Sequence, residues 1–336
     1  MKLITFRNPT GDRPGDRLGV LVGNDRVADL RLLADAAGSP HAAAFDSMLA
    51  LVRAGETALD EARRLVAQAG AAAATLPLSA VQLRAPLPLP EQIRDFANYE
   101  LHVRQALASS MRLRSMAEPD PAAALQRLQA SGLFAIPPVW YERPLYYKCN
   151  RFSVVGPDAD IERPPFARRM DYEMELAVVI GRKVKNATPE EAMQAVFGYT
   201  IYNDFSARDV QAQESSFRMG PAKGKDFDTG NAMGPCIVTR DEIADPYALH
   251  MRVSVNGQVR SETVSGGMQH DIARCIAFVS QSETLHPGEV LAMGTVGNGC
   301  GYESLSFLED GDVVEIEVEG IGRLRNRLVK TPGSTT

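Results

Sequence analysis

Asp171-Tyr-Glu-Met-Glu-Leu-Ala-Val-Val-Ile180 reads as a β-strand, and its alternation decides how the rest of the chain is read. Strand side chains point to opposite faces with a period of two, so Met174, Leu176, Val178 and Ile180 share one face and Glu173 and Glu175 the other. The two glutamate Cα atoms then lie about 6–7 Å apart. Two carboxylates facing one way at that spacing repel each other unless a cation lies between them. Hard divalent cations prefer carboxylate oxygen, and Mg²⁺ commonly takes one or two carboxylates plus water and substrate. A solvent-facing strand carries the same pattern. Asp312-Val-Val-Glu-Ile-Glu-Val-Glu-Gly320 sets Glu315, Glu317 and Glu319 outward, where a solvated face is the simpler reading. Spacing alone leaves Glu173 and Glu175 open between the two.

A second stretch adds to the first. Tyr199-Thr-Ile-Tyr-Asn-Asp204-Phe-Ser-Ala-Arg208-Asp-Val-Gln211 runs from a strand into a polar turn or helix start. Asp204 falls at the strand end among Asn203, Ser206, Arg208, Asp209 and Gln211. Gly220-Pro-Ala-Lys223-Gly-Lys225-Asp-Phe-Asp-Thr229 follows, a Gly-rich loop with two lysines. Acids and bases this dense beside apolar strands point to a pocket for an anionic substrate on a metal. A charged surface loop would have the same composition.

Around these stretches the chain is organised simply. Its 336 residues predict about two domains, and a hydrophobic fraction of 45% with 23% charged residues is that of a soluble globular protein. Strands at KLITF, RLGVLVG and RVADL precede a helix expected over 46–69 and an Ala-rich run at 71–74. Pro86, Pro88 and Pro90 mark an extended linker, so we place a small N-terminal α/β domain at 1–80 and a catalytic domain at 81–336. The segment 102–136, broken by Pro-Asp-Pro, is a candidate helical lid. From 145 to 330 the pattern is mostly β, with an Asn256-Gly257 hairpin signal and helices after Thr188 and over about 268–280.

The net charge of −6 and the lack of a basic run argue against a nucleic-acid partner. No apolar run reaches the roughly 20 residues that span a bilayer, so no membrane role is expected. The N-terminus shows no apolar signal segment, and Cys149, Cys236, Cys275 and Cys300 form no CxxC pair. The expectation is a cytoplasmic protein with reduced thiols.

In combination these motifs resemble the fumarylacetoacetate hydrolase superfamily. DYEMELAVVIG, NDFSARDVQ, GKDFDT, LAMGTV and DGDVVEIEVEGIGRLRN occur in that family's order, and the resemblance spans roughly residues 90–330. It implies an α+β, mostly β fold: a mixed β-sandwich roll catalytic domain, a homodimer, and Mg²⁺ or Mn²⁺, with Ca²⁺ a further option. By motif position Glu173, Glu175 and Asp204 correspond to metal ligands, and Arg208, Gln211, Lys225 and Thr229 to substrate contacts. Asp95 and His102 keep the family's spacing between an Asp that approaches the metal and the catalytic His. Asn98-Tyr-Glu-Leu-His102-Val-Arg also resembles a segment of the acylpyruvase-type members and selects the same histidine. His41, His250, His270 and His286 have no such context; a surface or core role suits them.

Two positions depart from the family pattern. Gln105 stands where acylpyruvase-type members carry a Glu that orients the His. Glu303 follows Gly294 at a longer distance than the Glu that pairs with the His in the larger hydrolases, and is the candidate to loop back to His102. The expected function is hydrolysis of a C–C bond in a small β-diketo or 2-oxo acid, of acylpyruvate or fumarylacetoacetate type. The ion would chelate the oxo acid, His102 would activate water, and Lys225 and Gln211 would stabilise the oxyanion. The alternative is decarboxylation or isomerisation and tautomerisation of a 2-oxo acid at the same site. Trp140, Tyr141, Tyr146 and Tyr147 are expected to shape the distal pocket; Lys148 either faces it too or is a surface lysine at the strand end.

Overall fold

The computed structural model describes residues 1–10, 14–23, 25–69, 75–217 and 220–331. The fold is α+β. The strand Met174–Ile180 lies inside a twelve-stranded mixed sheet, antiparallel to Val196–Asp204 on one side and to Val290–Ala292 on the other. Its β-branched and aliphatic run suits that place, because both faces are covered. Met174, Leu176, Val178 and Ile180 pack into one core with the helix Ile272–Val279 and a five-stranded sheet. Ala177 and Val179 face a second core built with Leu51 and Leu59. Glu173 and Glu175 prolong that second face toward the start of the strand, where apolar packing gives way to polar groups.

The N-terminal segment joins the same sheet. Lys2–Arg7 pairs antiparallel with Asn231–Thr239, Leu3 opposite Ile237, and the second core mixes Leu3 and Leu18 with Val179 and Tyr202. The change near residue 80 is thus one of architecture within a shared sheet. The helix expected over 46–69 is two helices, Met48–Ala54 and Glu56–Ala69. Gly55 separates them at φ 75° and ψ −160°, a positive-φ conformation that glycine adopts freely and that ends the first helix. The Ala-rich run 71–74 lies outside the described residues.

The expected lid is also a pair of helices, Glu100–Ser115 and Pro121–Ala130, the second capped by the Asp120 carboxylate on the Ala123 N–H at 3.0 Å. The start of the first is pinned by Asn98, which bonds both ways with the His270 backbone, and by the Tyr99 hydroxyl on Ser265 O at 2.7 Å. His270 itself is buried, with Nε2 against Trp140 O at 3.1 Å. Thr188 and Glu191 form the capping box their spacing predicts. In the five-stranded sheet Val314, Ile316 and Val318 are buried, while Glu315 and Glu317 face Arg323 and Arg252. Among the described residues no helix is long and apolar enough to cross a membrane.

Candidate metal centre and active site

Strand ends bring the acidic residues together. Asp95 comes from Ile93–Phe96 and lies opposite Tyr147 on the neighbouring strand. Glu173 and Glu175 open the central strand, and Asp204 closes Val196–Asp204 beside it. The loop after the helix Arg208–Ser216 delivers Lys225. Small-molecule sites commonly measure about 300–1,000 Å³; here a cavity of 650 Å³ is lined by Asp95, Glu173, Glu175, Lys225 and His102. The lid closes one side of it through Leu107 and Leu113 of its first helix and Leu133 and Phe134 in the turn after its second.

Asp95, Glu173 and Glu175 each offer an oxygen within 4.8 Å of the others. The Asp204 carboxylate is next to them, held by Lys225 Nζ at 2.7 Å and by the Tyr147 hydroxyl. The same hydroxyl oxygen lies 2.7 Å from Asp95 Oδ2, so its one proton is shared between the two carboxylates. Glu175 accepts from the Gly294 N–H and the Thr295 hydroxyl, both at 3.1 Å. Gly294 has φ +94°, and a Cβ there would stand 2.1 Å from Phe96 O, so only glycine lets that N–H reach the carboxylate.

Charge is out of balance in this cluster. Asp95, Asp171, Glu173, Glu175 and Asp204 are all buried, and among the described residues the cations paired with them are Arg208 and Lys225. Burial and then neighbouring acids push Asp95 and Glu175 well above the usual carboxylate range. Burial raises Asp204 as well, with Lys225 opposing it. Glu173 behaves oppositely: burial disfavours its charge, but Arg208 and Lys225 outweigh that and hold it down at about 2. Burial works against the charges of Arg208 and Lys225, and the surrounding carboxylates restore them, leaving both above their ordinary values. Oδ1 of Asp95 and Oδ1 of Asp204 are buried with no hydrogen-bond partner among the described residues. A divalent cation fits this set: it needs oxygen donors and would answer both the excess negative charge and the orphaned oxygens.

His102 projects from the first turn of the lid helix, and its Nδ1 meets Glu303 Oε1 at 2.9 Å. Glu303 is held in turn by the backbone N–H groups of Asn298 and Cys300, both at 3.2 Å. With Glu303 ionised, the contact requires the proton on Nδ1 and leaves Nε2 with a free lone pair. Gln105 bears on the pair through Glu303: with its amide oriented to suit its neighbours, the nitrogen donates to Glu303 Oε1 at 3.0 Å and to Leu101 O at 3.3 Å.

Other expected residues are placed differently. Arg208 and Gln211 line the cavity, but the guanidinium is committed to Asp171 and Glu173 at 2.7 Å and to Gln211 Oε1 at 3.0 Å. Thr229 is not among the lining residues: its hydroxyl oxygen accepts the Glu162 N–H at 2.9 Å. Of the four expected aromatics Trp140, Tyr141, Tyr146 and Tyr147, Tyr147 is the one that lines the cavity, while Trp140 is buried with its indole N–H on Ala97 O at 2.5 Å. Lys148 is exposed on the strand face opposite Tyr147's. Sequence reasoning missed Asp171, which anchors Arg208, and Thr295 and Cys300. The period-two pattern placed Asp171 on the face of Glu173 and could have found it.

Residues 92–329 match the model of the fumarylacetoacetate (FAA) hydrolase C-terminal family, and the chain belongs to that family. It is 32% identical over 336 residues to the mitochondrial oxaloacetate tautomerase FAHD2A of Homo sapiens, covering 98% of this chain and 92% of the relative. A fumarylacetoacetate hydrolase from psychrophilic Exiguobacterium antarcticum has the same fold, with a TM-score of 0.71 and 28% identity over 98% of this chain and 99% of that one. A 5-carboxymethyl-2-hydroxymuconate delta-isomerase from Mycobacterium smegmatis gives 0.67 and 27% over 98% and 100%. Hydrolase, isomerase and tautomerase are thus all represented among its relatives.

Proposed function

We propose that this chain is a divalent-metal-dependent enzyme that hydrolyses a C–C bond in a small β-diketo acid of the acylpyruvate type. The observation that carries the reading is His102, paired through Nδ1 with Glu303, opening on the same cavity as the carboxylate cluster. Asp95, Glu173, Glu175 and Asp204 would hold Mg²⁺ or Mn²⁺. When bound, that ion supplies Lewis-acid polarisation of the 2-oxo carboxylate.

The chain's own groups supply the rest. His102 Nε2 takes a proton from water, and Glu303 steadies the imidazolium that results. The water oxygen adds to the distal carbonyl carbon, and the Lys225 ammonium and Gln211 amide donate to the oxyanion that develops. The adjoining C–C bond then breaks, its electron pair staying on the pyruvate fragment. His102 returns the proton to that carbon, giving a carboxylic acid and pyruvate. Arg208 keeps Glu173 ionised and oriented. The lid's apolar side chains exclude bulk water from the distal acyl group.

A second reading is favoured by the near full-length likeness to an oxaloacetate tautomerase. Moving a proton between C3 and the enol oxygen of oxaloacetate uses His102 as base and needs no attacking water. Product analysis by NMR on acylpyruvates and oxaloacetate, with Mg²⁺ or Mn²⁺, tests both. Acylpyruvate cleavage that falls by about 10²–10⁴ in His102→Ala supports hydrolysis. Enol–keto conversion of oxaloacetate without acylpyruvate cleavage assigns the second reaction. Wild-type rates in His102→Ala remove the histidine from either.

A further inference from the structure

A second set of ligand-type atoms stands beside the carboxylate cluster. His102 Nδ1 lies 2.9 Å from Glu303 Oε1 and 3.9 Å from Cys300 Sγ, and the three residues offer donor atoms all within 4.8 Å of one another. We propose that His102, Cys300 and Glu303 form an inhibitory site for Zn²⁺, separate from the catalytic metal centre.

Geometry and donor chemistry both support it. Tetrahedral zinc with bonds of about 2.0–2.3 Å sets its ligands roughly 3.3–3.8 Å apart; the two spacings from His102 Nδ1, 2.9 and 3.9 Å, lie close to either side of that range. Thiolate and imidazole are the softer donors that select zinc, whereas the neighbouring centre is all oxygen and suits Mg²⁺ or Mn²⁺. The cluster also has its own approach. A cavity of 360 Å³ is lined by Gln105, Tyr172, Asn298, Cys300 and Glu303. It shares no lining residue with the 650 Å³ cavity on which His102 opens. The His102–Glu303 contact therefore forms part of the wall between the two. Zinc can enter from the far side, and a water in that cavity can serve as fourth ligand.

Binding removes the base. Cys300 gives up its thiol proton to solvent, and the proton on Nδ1 moves to Nε2 as Nδ1 takes the metal. The lone pair assigned to water activation is then gone. This consequence rests on the proposed role of His102; the site itself does not.

The test uses the Mg²⁺-saturated enzyme. Co²⁺, added as a spectroscopic stand-in for zinc, should give a near-ultraviolet thiolate-to-cobalt charge-transfer band that excess Mg²⁺ does not remove. Cys300→Ser should abolish the band. In the same enzyme Zn²⁺ should inhibit noncompetitively with substrate. Cys300→Ser, and Glu303→Gln as an independent variant, should each weaken zinc inhibition at least about tenfold relative to its own zinc-free rate, since loss of even a supporting partner costs a metal site that much. Absence of a thiolate band in the wild type, or equal zinc sensitivity in both variants, overturns the site. A thiolate band with undiminished turnover upholds the site and overturns His102 as the base.

Discussion

Glu303→Gln separates the charge of Glu303 from its shape. The carboxylate is 3% exposed and meets His102 Nδ1 at 2.9 Å, the Asn298 and Cys300 N–H groups at 3.2 Å, and the Gln105 amide nitrogen at 3.0 Å. The amide oxygen can still accept from one donor, so the histidine can stay in place while its counter-charge is lost. A hydrogen bond to a charged group contributes about 1.5–3 kcal/mol. If that strengthens as the imidazolium forms, and each 1.36 kcal/mol is tenfold in rate, kcat falls roughly 10- to 150-fold. KM and metal affinity should hold, because Glu303 touches neither the carboxylate cluster nor its cavity. The amide nitrogen also leaves one backbone N–H without its acceptor, which costs about 1–3 kcal/mol of stability. The assay is the loss of the acylpyruvate enol absorbance well below the variant's Tm, with Tm and Mn²⁺ affinity measured on the same preparation. A folded variant with kcat within about twofold of wild type refutes the pairing as a catalytic device.

Four further outcomes are expected. Glu175→Gln should weaken Mn²⁺ binding at least about tenfold by isothermal titration, because a ligand counts for no less than the outer partners of a site. Lys225→Met should lower kcat by about 10²–10³ through the lost oxyanion donor, and breaking its buried pairs with Glu173 and Asp204 should destabilise the metal-free protein by about 3–5 kcal/mol in urea unfolding. Because Asp95 and Glu175 bind protons more tightly folded than unfolded, metal-free Tm should fall as pH rises from about 4, and saturating Mg²⁺ should flatten that fall. Glu173 acts in the other sense: its contribution is complete above its unfolded pKa near 4.3 and disappears as pH drops toward about 2. Gly294→Ala should cost metal affinity and stability together, since its Cβ would meet Phe96 O at 2.1 Å on a left-handed backbone.

The acidic side of the site was legible because strand alternation is a local property: Glu173 and Glu175 had to share a face whatever lay around them. That the same face packs on a core further along, through Ala177 and Val179, was not, since a buried strand and a solvated one differ in their neighbours rather than in their own letters. The break at Gly55 was missed because the apolar period continues across it, and only the positive φ of that residue separates the helices. The Glu303–His102 contact joins segments 201 residues apart, and Glu303's place depends on the 3-10 turn Gly301–Ser304 that no spacing announces. Thr229 fails for a related reason: its loop turns at φ 67° and carries the hydroxyl to Glu162 instead of the cavity.

The central claim is that Asp95, Glu173, Glu175 and Asp204 hold a catalytic divalent cation. Its most direct measurement is titration of the metal-free protein with Mn²⁺, followed by electron paramagnetic resonance of the free ion. The account predicts saturable binding of one ion per chain, retained in His102→Ala and lost when Glu173 and Glu175 are both changed to Gln in a variant that remains folded by circular dichroism. No saturable binding in the wild type, or binding unchanged in the folded double variant, would contradict it.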